Sequence, residues 1–270
     1  GVLFTAILME RKVRGNILWG ILFTWILGII CELTGLYVPD PTQHMFSVIP
    51  DFSAGLAAFT PASMEPIFGK IAFEQMLSLD FFVVMFAFLF VDIFDTLGTL
   101  IGVSSKAGML DKEGKLPHIK GALMADAVAT TAGAVLGTST VTTFVESATG
   151  VSEGGRTGLT AMFVAFFFLV SLFLSPLFLA IPAFATAPAL IIVGFLMLGA
   201  ITGIEFDDLT ESIPAYLTII AMPFCYSVSE GICFGVISYV LINLLTGNHK
   251  KISLLMYILA VLFIGKYIFI

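Results

Sequence analysis

Four acidic residues lie in stretches of this sequence that are otherwise strongly apolar, and they are the side chains best suited to chemistry. They are Asp92 and Asp95 in VDIFDTLGTLIG, Asp126 in ALMAD and Glu146 in TFVESATG. A charged side chain at the centre of a bilayer costs about 2.5–3.5 kcal/mol, so four deep carboxylates would together cost roughly 10 kcal/mol. No basic residue lies inside these stretches to offset that cost. The four acids are therefore expected to bind a polar ligand, to move a proton, or both.

The spacing of these acids and their polar neighbours predicts two helices that each carry one polar face. The first face holds Asp92, Asp95, Thr96 and Thr99, and the second holds Asp126, Thr130, Gly133 and Gly137. Asp95 and Asp126 also have a purely structural interpretation, in which they cap helix ends near the membrane surface.

The stretch between the second face and Glu146 predicts a break in the membrane helices. Ser139–Val145 reads STVTTFV, which is rich in β-branched residues and favours an extended backbone. The small, glycine-rich residues that follow can start a half-helix partway through the membrane, a device that transporters use at binding sites. Gly150–Thr157 reads GVSEGGRT and is close to a phosphate-binding loop, but Arg156 replaces the lysine and no soluble βαβ setting surrounds it.

Composition places the chain among integral membrane proteins. It is 59% hydrophobic and only 11% charged, whereas a soluble domain carries about 25% charged residues. The net charge of −7 includes no basic stripe, so nucleic acid is not an expected partner. Its three cysteines lie in apolar stretches, which argues against a disulfide or zinc framework, and no metal or cofactor is expected.

Apolar stretches of about 20 residues predict spanning helices in an all-α, multi-pass protein. They are Ile17–Leu36, Asp80–Gly102, His118–Gly137, Gly158–Pro182, Ala187–Gly203 and Ser212–Gly247, the last being two helices with a break near Tyr226–Ser229. Ile252–Ile270 spans the bilayer or lies along its surface. Gly1–Glu10 reads as the tail of a helix, so the chain is expected to be the C-terminal part of a longer protein. The distribution of Lys and Arg puts residues 37–79 outside the cytoplasm, with a short interfacial helix over GLAAFTPAS.

Several strings together resemble the AzgA-like purine permeases of the nucleobase–ascorbate transporter superfamily. They are VDIFDTLGTLIGVSSKAGMLD, ALMAD, GTSTVTTFVESATGVSEGGRTGLTA and IPAFATAPALIIVG, in that order. The resemblance implies proton-coupled uptake of guanine, hypoxanthine or adenine across the cytoplasmic membrane. It also implies fourteen helices in two inverted repeats of seven, of which this chain holds the second half with a short extended segment at about residues 139–146.

The resemblance also implies a domain plan and partners. Residues 1–36 would end the gate helices of the first repeat, 37–79 form an extracytoplasmic loop, 80–183 the core, 184–247 the gate and 248–270 an apolar tail. The expected partners are a purine nucleobase, a proton, the lipid bilayer and the missing N-terminal repeat of the same protein. A homodimer is left open.

Residue by residue, the resemblance gives Asp92 and Glu146 the role of substrate-contacting acids. A carboxylate accepts two parallel hydrogen bonds, which suits the N1–H and N2–H edge of guanine, so Glu146 is expected to bind that edge. Backbone N–H groups from Ser147 onward would help, with Thr142 and Thr143 holding other edge atoms. Asp95 and Asp126 are expected to couple the proton, because burial and neighbouring acids favour the protonated form.

Two other functions use the same acids. An ion channel or antiporter would move ions through them without an organic substrate, and it is the alternative that the sequence leaves open. An intramembrane aspartyl protease normally has its second aspartate in a G-x-G-D string, whereas ALMAD precedes that position here. The protein is therefore not expected to be an enzyme.

Overall fold

The computed structural model describes residues 1–40, 45–50, 52–53, 55, 59–72, 74 and 76–269. Within those residues the chain forms eleven α-helices and no β-strand, apart from one isolated antiparallel bridge between Asp40 and Met45. The helices are α1 Val2–Glu10, α2 Asn16–Leu33, α3 Leu79–Lys106, α4 Ile119–Leu136, α5 Ser147–Ser152, α6 Gly158–Phe173, α7 Ser175–Leu179, α8 Ala183–Met197, α9 Leu209–Phe224, α10 Val228–Leu245 and α11 Leu254–Phe269. Short 3-10 helices occupy Leu198–Gly203 and His249–Lys251.

Five of these helical segments are long and apolar enough to cross a membrane. They are Asn16–Leu33, Val84–Lys106, Ile119–Leu136, Ala183–Gly203 and Val228–Leu245. Three shorter apolar helices cover Gly158–Phe173, Leu209–Phe224 and Leu254–Ile268. The prediction of an all-α, multi-pass membrane protein is confirmed. The interfacial helix predicted over GLAAFTPAS includes residues 56–58, which lie outside the described part of the chain.

For two of the predicted spans, the structure shows where the helix is interrupted. The stretch Ser212–Gly247 was expected to divide near Tyr226–Ser229, and α9 ends at Phe224 while α10 begins at Val228. The prediction of one helix over Gly158–Pro182 is wrong, because α6 ends at Phe173 and α7 starts at Ser175. Pro176 lies in the first turn of α7, where its missing N–H leaves no helical bond unmade.

One compact unit comprises residues Gly1–Phe68, Gly102–Pro117 and Phe144–Leu198. In it α2 packs against α1 and α8, around a core formed by Trp25, Val48 and Ala185. The indole Nε1 of Trp25 donates a hydrogen bond of 2.7 Å to the carbonyl of Val48. Because this polar ring atom is buried, the bond stabilises the placement of residues 45–50 against α2.

The other compact unit comprises residues Gly69–Ile101, His118–Thr143 and Gly199–Ile270. In it α10 packs along α9 and also against α11, and its core includes Cys233, Val240, Leu259 and Phe263. The ring of Phe90 on α3 meets that of Phe263 edge to face, with centroids 5.8 Å apart. This contact joins α3 to α11, and Phe94 of α3 packs against the same core.

Candidate functional site

The central contact of the candidate site joins Asp92 on α3 to the segment that follows α4. The hydroxyl of Thr140 donates to Oδ1 of Asp92 at 2.7 Å. Thr130 on α4 lies 3.0 Å from the Thr140 hydroxyl, oxygen to oxygen, and its hydroxyl also accepts from the amide of Val141 at 3.1 Å. One threonine of α4 and one of the segment therefore hold the carboxylate of α3 in place.

A second chain of hydroxyls leads from the same segment to Asp126 on α4. Thr96, whose side chain is buried, has its Oγ1 at 2.9 Å from Oγ1 of Thr142. The Thr96 hydroxyl donates to Oδ2 of Asp126 at 3.4 Å. A hydroxyl has one proton to give, so Thr142 is the donor to Thr96 when Thr96 donates to Asp126. The three groups form one directed hydrogen-bonded chain.

The backbone between α4 and the half-helix explains why these threonines face the acids. The helix α4 ends at Gly137, whose φ of 80° is left-handed and suits glycine. Residues 138–144 are non-helical, and successive side chains of an extended chain point to opposite sides. Thr140 and Thr142 therefore share the side that meets α3 and α4. Gly133 permits this approach, because a Cβ there would lie 2.8 Å from Oγ1 of Thr138 and 3.3 Å from the carbonyl of Ser139.

The other predicted site residues of this unit, Thr143 and Asp95, make fewer polar contacts. Thr143 follows Thr142 and belongs to the opposite side of the extended segment. Asp95 is half-buried on α3, one helical turn beyond Asp92. Across the described residues, neither side chain makes a hydrogen bond. No group of three or more metal-ligating side chains occurs within that part of the chain.

Glu146 directly precedes the half-helix, as the sequence predicted. It is the residue before α5 and its side chain is exposed. The expectation of unpaired amides at the start of α5 differs from the geometry. The amides of Ser147, Ala148 and Thr149 donate to the carbonyls three residues earlier, at 3.1, 3.0 and 2.9 Å. A tight turn over residues 144–149 uses these donors, so Ser147 has its hydroxyl rather than its amide available to a ligand.

The acids fall in two compact units. Glu146 and Ser147 belong to the unit that contains α2 and α8, whereas Asp92, Asp95 and Asp126 belong to the unit that contains α10 and α11. The expectation that Asp92 and Glu146 contact one substrate stays a prediction.

Three threonines of the site, Thr96, Thr130 and Thr140, were not among the predicted site residues. Thr140 binds Asp92, and Thr96 links Asp126 to Thr142. Thr96 lies on the polar face predicted for α3, so its position was visible in the spacing. Alternation along Ser139–Thr143 was the signal for Thr140, since it puts Thr140 on the same side as Thr142.

Fold and site together define a multi-pass helical membrane protein with hydrogen-bonded acids inside its apolar helices and a half-helix after a non-helical segment. Residues 1–234 match the family model Xan_ur_permease, described as a permease family. The chain belongs to this family, and the resemblance drawn from its sequence motifs is confirmed.

Individual relatives agree with that assignment. The chain is 44% identical over 269 residues to the putative permease MJ0326 of Methanocaldococcus jannaschii, covering 100% of this chain and 58% of the relative. It is 39% identical over 270 residues to the adenine permease AdeP of Escherichia coli, covering 100% of the chain and 57% of AdeP. It is 41% identical over 271 residues to the guanine/hypoxanthine permease PbuG of Bacillus subtilis, covering 100% of the chain and 58% of PbuG. The chain thus spans less than two thirds of the length of these relatives, all of which are named as permeases.

Proposed function

We propose that the transporter containing this chain takes up purine nucleobases across the cytoplasmic membrane together with protons. The names of the relatives AdeP and PbuG, an adenine permease and a guanine/hypoxanthine permease, support a purine substrate. The observation that carries the proposal is the hydrogen-bonded group formed by Asp92, Thr130 and Thr140, the last of which lies shortly before Glu146 in the chain. It fixes polar groups inside apolar helices, where they are retained only for a function.

Glu146 is the proposed primary contact for the purine. Its exposed carboxylate has no hydrogen-bond partner within the described chain, so both oxygens are free to accept. An ionised carboxylate accepts two parallel hydrogen bonds, matching the N1–H and exocyclic N2–H of guanine. Hypoxanthine keeps only the N1–H contact on that edge. The hydroxyl of Ser147 is the next donor along the chain and would bind a ring nitrogen or carbonyl of the base.

Asp92 and Thr142 are proposed to hold the remaining edge atoms, and Thr143 would have to act from the other side of the segment. Thr140 occupies one oxygen of Asp92, which leaves Oδ2 for substrate. Asp92 is therefore presented to the base in a fixed orientation, and preorganisation of this kind lowers the entropic cost of binding.

The proton is proposed to travel on Asp126 or Asp95. Asp126 ends the hydroxyl chain from Thr142 through Thr96, which connects the proposed substrate contact at Thr142 to a titratable carboxyl group. Protonation of Asp126 would reverse the donor and acceptor roles along this chain, because a neutral carboxyl group can itself donate. Substrate and proton occupancy would then be linked through the two threonines.

The experiment that tests the proposal is uptake of radiolabelled purine by the complete protein carrying Glu146→Gln. The substitution keeps the shape of the side chain but removes the charge and one acceptor. We expect uptake to fall to background while the amount of protein in the membrane is unchanged. Glu113→Gln is the control, because Glu113 lies on an exposed loop and pairs only with Lys115 within the described chain. Near-normal uptake by the Glu146 variant would remove this residue from the site.

Competition uptake identifies the substrate and the coupling ion. Cells expressing the complete protein take up labelled hypoxanthine in the presence of unlabelled adenine, guanine, xanthine or uracil, with and without a protonophore. We expect one or more of adenine and guanine to compete and the protonophore to abolish accumulation. Competition by uracil alone, or accumulation that resists the protonophore, would contradict the proposal.

A further inference from the structure

Glu153, the second glutamate of the ESATGVSEGGRTG motif, contacts the start of a distant helix. Its Oε1 accepts a hydrogen bond of 3.0 Å from the amide of Gly15 and one of 3.2 Å from Nδ2 of Asn16. Asn16 is the first residue of α2 and Gly15 is the residue before it. Glu153 directly follows the half-helix α5, so the two elements are joined across 138 residues of sequence.

The start of α2 needs such an acceptor. The first amides of a helix have no partner inside it, and a negative charge there is favourable because of the helix dipole. Within α2 itself no side chain caps these amides and the first turn holds no acidic residue. Glu153 therefore supplies, from a distant part of the chain, an acceptor for one of these amides, that of Gly15.

Arg156 braces the same end of α5. Its Nη1 donates to the carbonyl of Val151 at 2.6 Å and to that of Gly155 at 2.8 Å. Val151 lies in the last turn of α5, and its carbonyl also accepts from the amide of Gly154 at 3.1 Å. The arginine in the phosphate-loop-like string GVSEGGRT thus binds carbonyl oxygens of its own segment.

The turn between these two side chains is tightly built. Gly154 has a φ of 106°, which disfavours any residue with a side chain. The amide of Gly155 donates to the carbonyl of Gly150 at 2.8 Å, and a Cβ on Gly155 would lie 2.9 Å from that same oxygen. The two glycines let the chain fold back onto α5, which places Glu153 and Arg156 on fixed backbone.

A six-residue helix such as α5 is not stable without outside contacts. Its Ala148 is fully buried, and α5 contacts α8. Glu153 and Arg156 add polar contacts at the opposite end from Glu146. The orientation of α5, and with it that of Glu146 and Ser147 at its start, therefore depends on both ends being held.

We propose that Glu153 is a positioning residue that clamps the half-helix to the start of α2, with Arg156 bracing the turn that carries it, and thereby aims Glu146 and Ser147. The clamp itself is a statement about the fold of this chain. Its effect on transport rests on the proposed function, because it assumes that Glu146 binds the purine. A loosened clamp would weaken substrate binding without removing any group that touches substrate.

The structural arm of the test is amide hydrogen exchange in the complete protein, comparing wild type with Glu153→Ala, Glu153→Gln and Glu113→Ala. Glu153→Ala should speed exchange in peptides covering residues 11–19 and 144–153. Glu153→Gln should stay close to wild type, because its side-chain carbonyl still accepts both hydrogen bonds. Glu113→Ala should have no effect there. Unchanged exchange at residues 11–19 in Glu153→Ala would overturn the clamp.

The transport arm is the kinetics of purine uptake by the same variants. Loss of hydrogen bonds to a charged group predicts a KM raised roughly tenfold in Glu153→Ala with a maximal rate close to wild type, and recovery of KM in Glu153→Gln. Faster exchange with an unchanged KM would overturn the positioning role. Absence of purine uptake by the wild-type protein would overturn the proposed function instead, and the exchange data would still decide whether the clamp exists.

Discussion

Thr140 is the residue on which the geometry of Asp92 depends. Within the described residues, its hydroxyl donates a hydrogen bond of 2.7 Å to Oδ1 of Asp92. Such a bond to a charged acceptor is shorter and stronger than one between neutral groups. The non-helical segment is thereby attached to α3 at the position proposed to meet substrate.

We predict that Thr140→Val in the complete protein raises the KM for purine about tenfold. Valine keeps the branched shape but cannot donate to Asp92, and loss of a hydrogen bond to a charged group costs about 1.5 kcal/mol at the low end of its range. The low end applies because Thr140 is exposed in this chain. Initial rates of labelled purine uptake over a range of concentrations measure the change.

Thr131→Val is the matched control for Thr140. Thr131 is also exposed, and its hydroxyl bonds to the carbonyl of Ala127 on its own helix at 2.8 Å. Its loss should leave KM unchanged. Equal effects of the two substitutions would show that the Asp92 bond has no special part in binding.

Asp208, the residue before α9, leads to a prediction about how the stability of the protein depends on pH. Its side chain accepts from Nζ of Lys251 at 2.7 Å and from the amide and hydroxyl of Thr210. The hydrogen bond from Lys251, followed by those from Thr210, lowers the pKa of Asp208 from 3.8 to about 2. A carboxyl whose pKa is lower in the folded state stabilises the fold above its unfolded pKa and loses that effect as pH falls through the folded value.

Asp208→Asn should therefore lower the melting temperature of the purified protein at about pH 6. Below about pH 4 the difference from wild type should shrink, because Asp208 itself becomes protonated on the way to about pH 2. Asn still caps the helix, so the comparison isolates the charge. Asp207→Asn serves as control on the neighbouring exposed residue. A difference between wild type and Asp208→Asn that persists down to about pH 2 would contradict this account.

Single residues show where sequence patterns are informative. Helical spacing predicted that Asp92, Thr96 and Thr99 share a face, and the structure buries both threonines. The same spacing could not predict that Thr140 rather than Thr143 would bind Asp92, because that choice depends on how the segment after Gly137 turns. Nor could it predict the turn bonds that occupy the amides of Ser147, Ala148 and Thr149.

At the scale of the elements, an interruption between helices was predictable where the apolar stretch was too long for one span. An interruption inside a stretch of ordinary span length was not. The length of the apolar stretch after Ser212 exceeded one span, which required the division seen between α9 and α10. The stretch after Gly158 fits one span by length, and its apolar residues give no sign of the interruption at Leu174. Pro176 was visible there, but proline in a membrane helix also occurs as a simple kink.

The pair formed by α9 and α10 relies on close contact at glycine. A Cβ added to Gly231 would lie 2.9 Å from the carbonyl of Thr218 and 3.2 Å from the amide of Met222, besides meeting the Met222 side chain. Small residues let membrane helices approach closely, and the backbone atoms here cannot move aside as a side chain could. The contact therefore sets the distance between the two helices.

We predict that Gly231→Ala destabilises the protein by about 1–3 kcal/mol, as overpacking in a well-packed core does. Gly194→Ala is the control, since nothing lies within 4 Å of the Cβ it would add. Alanine is the better helix former, so the control should be neutral or slightly stabilising. Thermal unfolding in detergent measures both variants. Equal stability of the two would show that α9 and α10 do not pack closely at Gly231.

At the scale of the molecule, charged side chains in the apolar helices are held in two different ways. Glu230 on α10 bonds to Lys266 at 2.5 Å and to the hydroxyl of Tyr267, both on α11. This ion pair neutralises two charges in apolar helices, as a membrane interior requires. Asp92 and Asp126 have only hydroxyl partners within the described residues. Asp92 and Asp126 thus differ from Glu230, whose charge is balanced by Lys266.

Coupling between proton and purine movement would distinguish a symporter from the ion channel or antiporter that would use the same acids. If Asp126 is linked to the purine through Thr96 and Thr142, protons should cross only when purine crosses. A channel would pass protons without purine. Measuring the purine flux and the proton flux in one preparation therefore tests the proposed coupling of the two.

We predict that liposomes containing the complete protein and an internal pH dye acidify inside only after purine is added outside. Asp126→Asn should reduce proton entry at least about tenfold, because the hydroxyl chain then ends on a group that cannot titrate. Glu146→Gln should remove purine entry and proton entry together, and Glu113→Gln should change neither. Proton entry that starts before purine is added, or that survives Glu146→Gln, would identify a proton pathway independent of the purine site.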